Sequence, residues 1–198
     1  LPKNTYLGPI TGGKYIVKSL TFNAVVRKYM FPILFKLSSL ILEKKNINLL
    51  FSTNMLKDYL TNKILKNSIF ELNLICFEPK RRKKKDIDFL FYYRIHANKS
   101  NYFMSKLINR LADNKKKIYV VGDKFPNHEV KNLGNIKREL VLEYLSRTKF
   151  SLNSGENFYS LFALDCISNH VTLFVDKKSY VKKNYFLDKN IYPLNLNK

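Results

Sequence analysis

Arg94 and Lys99, five positions apart, are the first pair of residues in this chain that could do chemistry. Both follow the apolar run IDFLFYY at residues 87–93, which predicts a buried strand. A guanidinium offers a fork of donors and an ammonium offers a compact charge, so together they can neutralise charge that builds on a leaving diphosphate. The alternative is two solvated loop cations, because basic residues are abundant in this chain.

A second candidate site is SGENFYSLFALD at residues 154–165, where a predicted strand ends in a glycine-containing loop and a helix begins near residue 158 or 159. Free backbone N–H groups and the positive end of the helix dipole meet there, and both favour phosphate. Asp165 lies about two turns into that helix. If Leu161 and Leu164 face the sheet, Asp165 faces the ligand crevice and accepts ribose hydroxyls. The alternative is an aspartate exposed on the helix surface.

Three histidines and two cysteines complete the inventory of reactive side chains. His96, His128 and His170 lack the spacing of metal ligands, so the sequence predicts no metal site. His96 falls between the two candidate cations and could contact phosphate, whereas His170 precedes a strand, where a structural role is expected. Cys76 and Cys166 lie in separate apolar segments, which predicts reduced core residues.

These residues are positioned by strands and helices that alternate regularly after residue 87. Strands are predicted at residues 87–93, 117–123, 131–134, 149–154 and 171–176, and helices at residues 102–111, 137–146 and 159–167. The alternation favours a Rossmann-type parallel sheet with helices on both faces. Such a sheet binds ligands at the carboxyl ends of its strands.

The first part of the chain predicts a smaller α/β domain. A helix at residues 23–42, kinked at Pro32, precedes a strand at 47–53, a helix at 55–65 and a strand at 72–77. The run PKRRKKKD at residues 79–86 contains six consecutive basic residues, which predicts an exposed linker, with a nucleic-acid patch as the alternative. The predicted organisation is therefore a partial domain at residues 1–78, a linker at 79–86, a ligand-binding domain at 87–183 and a tail without predicted elements at 184–198.

The order of these elements resembles the C-terminal, donor-binding domain of group 1 glycosyltransferases with the GT-B fold. A G-R-x-x-x-x-K segment contacts the donor diphosphate in that family, and residues 93–99 match it with Tyr93 at the glycine position. The family signature E-x7-E aligns on residues 157–166, with Asn157 at the first glutamate and Asp165 at the second. Glu156 lies one residue before the first position. YLGPITGGKYI at residues 6–16 is similar to a GP-x-GG loop of the family's N-terminal domain, and the chain is expected to lack that domain's first strands.

The resemblance implies transfer of a sugar from a nucleotide-sugar to a glycan, lipid or other hydroxyl acceptor in envelope glycan synthesis, with retention and without a metal or other cofactor. It implies that Arg94, Lys99 and Glu156 act in catalysis. The donor-binding residues it implies are Gly12, Gly13, Gly122, Gly134, Asn157, Phe158, Tyr159, Ser160 and Asp165. Because Asn157 cannot be ionised, an inactive transferase-like partner subunit is the alternative within the same family.

The net charge of the chain predicts anionic partners but does not distinguish one class of anionic partner from another. Lys and Arg number 36 against 15 Asp and Glu, a net charge of +21, so polyanions are attracted. A nucleic-acid-binding module is the competing function class, but most Tyr and Phe fall in apolar runs that predict burial, which favours a nucleotide-sugar as partner. The longest apolar stretch, residues 29–42, is too short to span a bilayer. We therefore expect a cytoplasmic protein, with peripheral contact at an anionic membrane surface as a hypothesis.

Overall fold

Parallel strands alternating with helices make up both halves of the chain, which confirms the predicted α/β class. The computed structural model describes residues 5–10, 22–52, 56–71, 84–95, 102–153, 160–177 and 190–195. The chain divides into two units, Leu1–Leu74 and Ile75–Lys198. Each is described by itself below.

The first unit contains a three-stranded parallel sheet in the order β1-β2-β3. Its elements are β1 (Tyr6–Ile10), α1 (Phe22–Lys44), β2 (Asn48–Phe51), a 3-10 turn (Lys57–Tyr59), α2 (Asn62–Lys66) and β3 (Ser68–Phe70). Four buried residues form its core: Leu49, Phe51, Leu56 and Ile64. Phe35 and Leu42 of α1 pack against that core, so one side of the long helix covers the sheet.

The single helix predicted at residues 55–65 is wrong. Leu60 and Thr61 are extended, with ψ angles of 144° and 156°, so the 3-10 turn and α2 are separate. The Thr61 hydroxyl accepts a hydrogen bond from the Ile64 N–H at 3.4 Å, which caps α2. The Thr61 N–H donates to the buried Ser39 hydroxyl of α1 at 3.0 Å, so tertiary contact compensates for the helical bond that is lost.

The glycine-containing segment at residues 6–16 begins with a strand that the sequence did not predict. β1 pairs in parallel with β2, and a side chain at Gly8 would come within 2.3 Å of the Leu50 carbonyl oxygen. Packing between neighbouring strands therefore requires this glycine. The strand predicted at residues 72–77 lies outside the described residues.

The second unit contains a six-stranded sheet in the order β6-β5-β4-β7-β8-β9, and every neighbouring pair is parallel. Its elements are β4 (Ile87–Tyr93), α3 (Tyr102–Asp113), β5 (Ile118–Gly122), β6 (Lys131–Gly134), α4 (Arg138–Ser146), β7 (Thr148–Leu152), α5 (Leu161–Ser168), β8 (Thr172–Asp176) and β9 (Ile191–Leu194). The predicted Rossmann-like sheet is confirmed, and five of its six strands, β4 to β8, lie close to the predicted bounds.

Helices cover both faces of this sheet because the connections run in opposite directions along it. The β4–α3–β5 connection moves toward one edge and the β6–α4–β7 connection toward the other, so right-handed crossovers place α3 and α4 on opposite faces. Residues in β4 alternate accordingly. Phe91 packs in the core beneath α3, whereas Leu90 packs in the core beneath α4 and α5.

The direction of the chain reverses between β4 and β7, which are neighbours at the centre of the sheet. From β4 the chain proceeds through β5 to β6, then crosses to β7 and continues outward to β8 and β9. This strand order has a topological switch point between its two halves, and ligands of open α/β sheets bind outside the carboxyl ends of the strands at that point.

The predicted tail contains the last strand of the sheet. β9 pairs with β8 through four residues, from Leu173 opposite Ile191 to Asp176 opposite Leu194. Ile191 is buried in the core shared with α4 and α5. The run IYPL is short and contains a proline, which is tolerated on an edge strand but weakens the sequence signal.

Ion pairs join the amino ends of the strands, in a group that we call the amino-edge cluster: Asp86, Asp88, Lys117, Arg147 and Lys149. Arg147 binds Asp86 through two hydrogen bonds of 2.8 and 2.5 Å, and Lys117 contacts the same carboxylate at 3.2 Å. Lys149 lies 2.8 Å from Asp88. These cations hold the pKa of both aspartates below its usual range.

The end of the basic run is part of the fold, which corrects its interpretation as a wholly exposed linker. The Lys85 ammonium donates to the carbonyl oxygens of Leu145 at 3.2 Å and Asn169 at 2.9 Å. These carbonyls lie at the carboxyl ends of α4 and α5, where a positive charge complements the helix dipole. Residues 79–83 of the run lie outside the described residues.

Candidate functional site

The candidate site lies at the carboxyl ends of β4 and β7, on the two sides of the switch point. The two strands are paired with Ile87 opposite Thr148 and Phe89 opposite Phe150, and β7 ends at Leu152. β4 continues to Tyr93, and Arg94 follows it directly. β7 is the neighbour of β4 in the sheet, and the second candidate sequence follows it in the chain from residue 154.

Arg94 is exposed, and the backbone that carries it is anchored to the neighbouring strand. The Ile95 N–H donates to the Asp123 carboxylate at 2.6 Å, and the Asp123 N–H donates to the Tyr93 carbonyl at 2.9 Å. These two bonds hold the residues on both sides of Arg94 against the end of β5. Asp123 is a positioning residue that the sequence analysis missed, although the Gly-Asp pair at the end of a predicted strand was its signal.

Gly122 is one of the predicted donor-binding glycines, and both its backbone conformation and its close packing require glycine. Its φ is +102°, and a Cβ there would lie 2.3 Å from the Tyr93 carbonyl oxygen. The close approach lets β4 and β5 stay paired to their last residues, Tyr93 and Gly122. Gly134 also has positive φ, +69°, but a Cβ there would meet open space. Gly12 and Gly13 lie outside the described residues.

Asp165, the predicted ribose ligand, is buried and paired with Arg138 of α4. Arg138 Nη2 lies 2.6 Å from one carboxylate oxygen and Arg138 Nε lies 3.2 Å from the other. The aspartate side chain is 7% exposed and the arginine side chain is 32% exposed. The pair links the first residue of α4 to the middle of α5, and it excludes the alternative of an aspartate exposed on the helix surface.

The helix that carries Asp165 begins later than predicted. α5 starts at Leu161, and the Ser160 hydroxyl accepts from the Ala163 N–H at 3.2 Å, so Ser160 is the N-cap rather than a residue within the helix. Leu164 is buried, but Leu161 is 52% exposed and does not face the sheet. Glu156, Asn157, Phe158 and Tyr159 precede Ser160 in the chain and lie outside the described residues, as do Lys99 and His96.

Cys166 follows Asp165 and faces the sheet as a core residue. It is fully buried, and burial raises the pKa of its thiol well above the usual range, so it is inert toward thiolate chemistry. Its predicted role as a reduced core cysteine is confirmed. Cys76 lies outside the described residues.

The remaining histidines lie apart from the switch point. His128 is exposed, with its Nε2 3.3 Å from Glu129, and His170 occupies the turn after α5 with a φ of +55°. Across the part of the chain that the structure describes, no group of three or more His, Cys, Asp or Glu side chains is placed to hold a metal ion.

No protein-family model matches this sequence, and no curated protein matches it. None of the helices in the described ranges has the length and apolarity needed to cross a bilayer.

A cavity of about 550 Å³ opens at the connection between β5 and β6. Its lining residues are Lys124, Phe125, Pro126, Asn127, His128, Val130 and Asn132. The Asn132 side chain fixes this connection, because it accepts from the Phe125 N–H at 2.7 Å and donates to the Phe125 carbonyl at 3.1 Å. The carboxyl edge of the sheet thus carries an anchored arginine after β4 and a depression after β5 that Lys124 lines.

Proposed function

We propose that this protein transfers a sugar from a nucleotide-sugar to a hydroxyl acceptor, and that its second unit binds the donor. The observation that carries the proposal is the placement of Arg94 at the carboxyl end of β4, at the switch point of a parallel sheet. Open sheets of this kind bind nucleotides at that point. The sequence resemblance to group 1 glycosyltransferases supplies the reaction class.

The chemistry required at this site is stabilisation of a departing nucleoside diphosphate. As the bond between the sugar and the diphosphate breaks, negative charge grows on the phosphate oxygens, and the Arg94 guanidinium can donate two parallel hydrogen bonds to them. The bonds between Asp123 and the backbone on both sides of Arg94 limit the movement of this segment. Donors that are held in place before the reaction stabilise such charge without reorganisation.

Lys99 and Glu156 remain the other catalytic residues of the proposal. Lys99 would add a second positive charge to the diphosphate, and Glu156 would take the place of the family carboxylate that Asn157 lacks. Both follow the strands that flank the switch point, Lys99 after β4 and Glu156 after β7. The acceptor, whether glycan or lipid, is part of the same proposal.

Asp165 retains the capacity for a ribose contact in this proposal. A carboxylate has about four acceptor positions, and Arg138 occupies two of them. The pair also fixes α5 against α4, which holds the helix that follows the proposed phosphate-binding loop.

Titration with nucleoside diphosphates and nucleotide-sugars, and in parallel with single-stranded DNA, tests this function. We expect saturable binding of one nucleotide-sugar that survives an increase in salt, followed by turnover when an acceptor is present. DNA binding alone that weakens steeply with salt would instead support the nucleic-acid-binding module, because neutralised phosphates release counterions. Donor binding without turnover under any acceptor condition would support the inactive partner subunit.

A further inference from the structure

α1 presents a wide apolar surface away from the core of its unit. Tyr29, Ile33, Leu37 and Leu40 recur at intervals of four, four and three residues, so they form one stripe along the helix. A second exposed row adjoins the stripe and contains Met30, Leu34 and Ile41. We call these seven residues the α1 apolar surface. Each of them is more than two-fifths exposed, with Ile33 and Tyr29 both at 61%.

The opposite side of α1 is already occupied by its own unit. Phe35 and Leu42 pack against the core, and the buried Ser39 hydroxyl accepts a hydrogen bond from the chain before α2. The helix is therefore apolar on both sides, which is the pattern of a helix that is covered on both sides. The sheet of the first unit covers one side of α1, and the α1 apolar surface on the other side is exposed.

The charges around this surface favour an anionic partner. Lys28, Lys36 and Lys44 of α1 are exposed, as is Lys45 just beyond its end. Glu43 is the single acidic residue in the helix sequence, and the first turn contains none. Two copies of this surface packed together would bring these lysines near one another and cost repulsion. An anionic bilayer would instead attract each of them.

We infer that the α1 apolar surface is a membrane-docking surface, on which the protein lies against an anionic lipid bilayer. At 23 residues the helix is about 35 Å long, enough to lie in the interface with its stripe among the upper acyl chains and its lysines at the headgroups. No described helix can span a bilayer, so the inferred contact is peripheral. This inference is independent of the proposed sugar transfer.

Co-sedimentation of the full chain with lipid vesicles tests the inference. We expect binding to phosphatidylcholine vesicles that contain phosphatidylglycerol, weaker binding to phosphatidylcholine alone, and partial loss at high salt. An Ile33→Gln/Leu37→Gln variant should lose about tenfold or more in affinity for the anionic vesicles, because two side chains no longer leave water. Both residues are exposed, so the variant should keep the wild-type circular dichroism spectrum.

The matched control places the same substitution on the second unit, at Leu140→Gln, where the leucine is 45% exposed on α4. That variant should bind vesicles as the wild type does. Equal binding by the wild type and the Ile33/Leu37 variant would overturn the inference, because the net charge alone would then explain adsorption.

The absence of tryptophan from the sequence allows a direct measurement of insertion. A Tyr29→Trp variant should show blue-shifted emission on anionic vesicles and quenching by brominated acyl chains. A Tyr192→Trp variant, in which the exposed tyrosine of β9 is replaced, should show neither. Emission from the Tyr29→Trp variant that does not change on vesicles would overturn the inference. Self-association in analytical ultracentrifugation that the Ile33/Leu37 variant abolishes would also overturn it, since a second copy would then be the occupant.

Discussion

Asp165 forms an ion pair that its sequence position does not indicate. Its carboxylate matches an acidic position of the family signature, yet its nearest partner is Arg138, 27 positions earlier. Nothing in the spacing of the sequence pairs these two residues, because their contact depends on α4 and α5 packing side by side. The sequence shows that position 165 carries a carboxylate, but the ion pair of that carboxylate with Arg138 could not be predicted.

Removing either member of this pair should destabilise the fold. We expect Asp165→Asn to lower the free energy of unfolding by about 2 kcal/mol and Arg138→Gln by about 3 kcal/mol, the larger value because a buried carboxylate is left unpaired. The double variant should cost less than the sum, which urea unfolding will show as a coupling energy. Glu129→Gln, at an exposed pair, should change stability by less than about 0.5 kcal/mol.

Nucleotide affinity of the same variants separates structure from ligand binding. If Asp165 also accepts ribose hydroxyls, Asp165→Asn should weaken nucleotide binding more than Arg138→Gln does at a temperature where both are folded. Unchanged affinity in Asp165→Asn would contradict the ribose role and leave the pair as a purely structural link.

Gly122 and Gly134, which both have positive φ, provide a matched comparison at the residue scale. Gly122→Ala should lower the free energy of unfolding by about 3 kcal/mol, because it combines backbone strain with a clash against the Tyr93 carbonyl oxygen. Gly134→Ala has strain but open space, so we expect about 1 kcal/mol. Thermal unfolding of both variants measures the difference, and equal losses would contradict the close packing described at Gly122.

At the scale of elements, the apolar runs sufficed to predict the strands of the second sheet and their parallel arrangement. Strands β4, β5 and β8 each consist mostly of apolar residues between polar segments, which is a strong local signal. The sequence did not reveal β9, because an edge strand gains its stability from the neighbour it pairs with. Nor did it reveal the break before α2, where the Ser39 contact from α1 replaces a helical bond.

The amino-edge cluster should make stability fall in acid. The pKa of Asp86 and Asp88 is lowered in the folded protein by Arg147 and Lys149, so the unfolded chain binds protons first as the pH falls. Their contribution is fully present above the ordinary aspartate pKa of about 4 and is lost as the pH falls toward the lowered values.

An Asp86→Asn/Asp88→Asn variant tests whether these ion pairs cause the loss of stability in acid. It should be less stable than the wild type at neutral pH, and the difference should shrink near about pH 3, measured by urea unfolding at both values. Asp113→Asn, which removes a carboxylate from the exposed end of α3, should leave the pH dependence unchanged. A constant difference at both pH values would contradict the described ion pairs.

At the scale of the whole molecule, the net charge of +21 overstates the number of cations available to partners. Lys85 donates to carbonyl oxygens at two helix ends. Lys117, Arg147 and Lys149 form ion pairs within the amino-edge cluster. Composition could not identify these structural cations, because only the fold shows which strand end or helix end each one occupies. The predicted division into a partial first domain and a donor-binding second domain stays a prediction about the complete protein.

The central claim is that Arg94 binds a diphosphate at the switch point, and the affinity of one variant tests it most directly. Calorimetric titration of Arg94→Gln with UDP, GDP and ADP should show a loss of about tenfold or more for the nucleotide that the wild type prefers, since a charged hydrogen bond is removed. Lys115→Gln removes the same charge at the amino end of β5 and should bind as the wild type does. Equal affinities in the two variants would contradict the account.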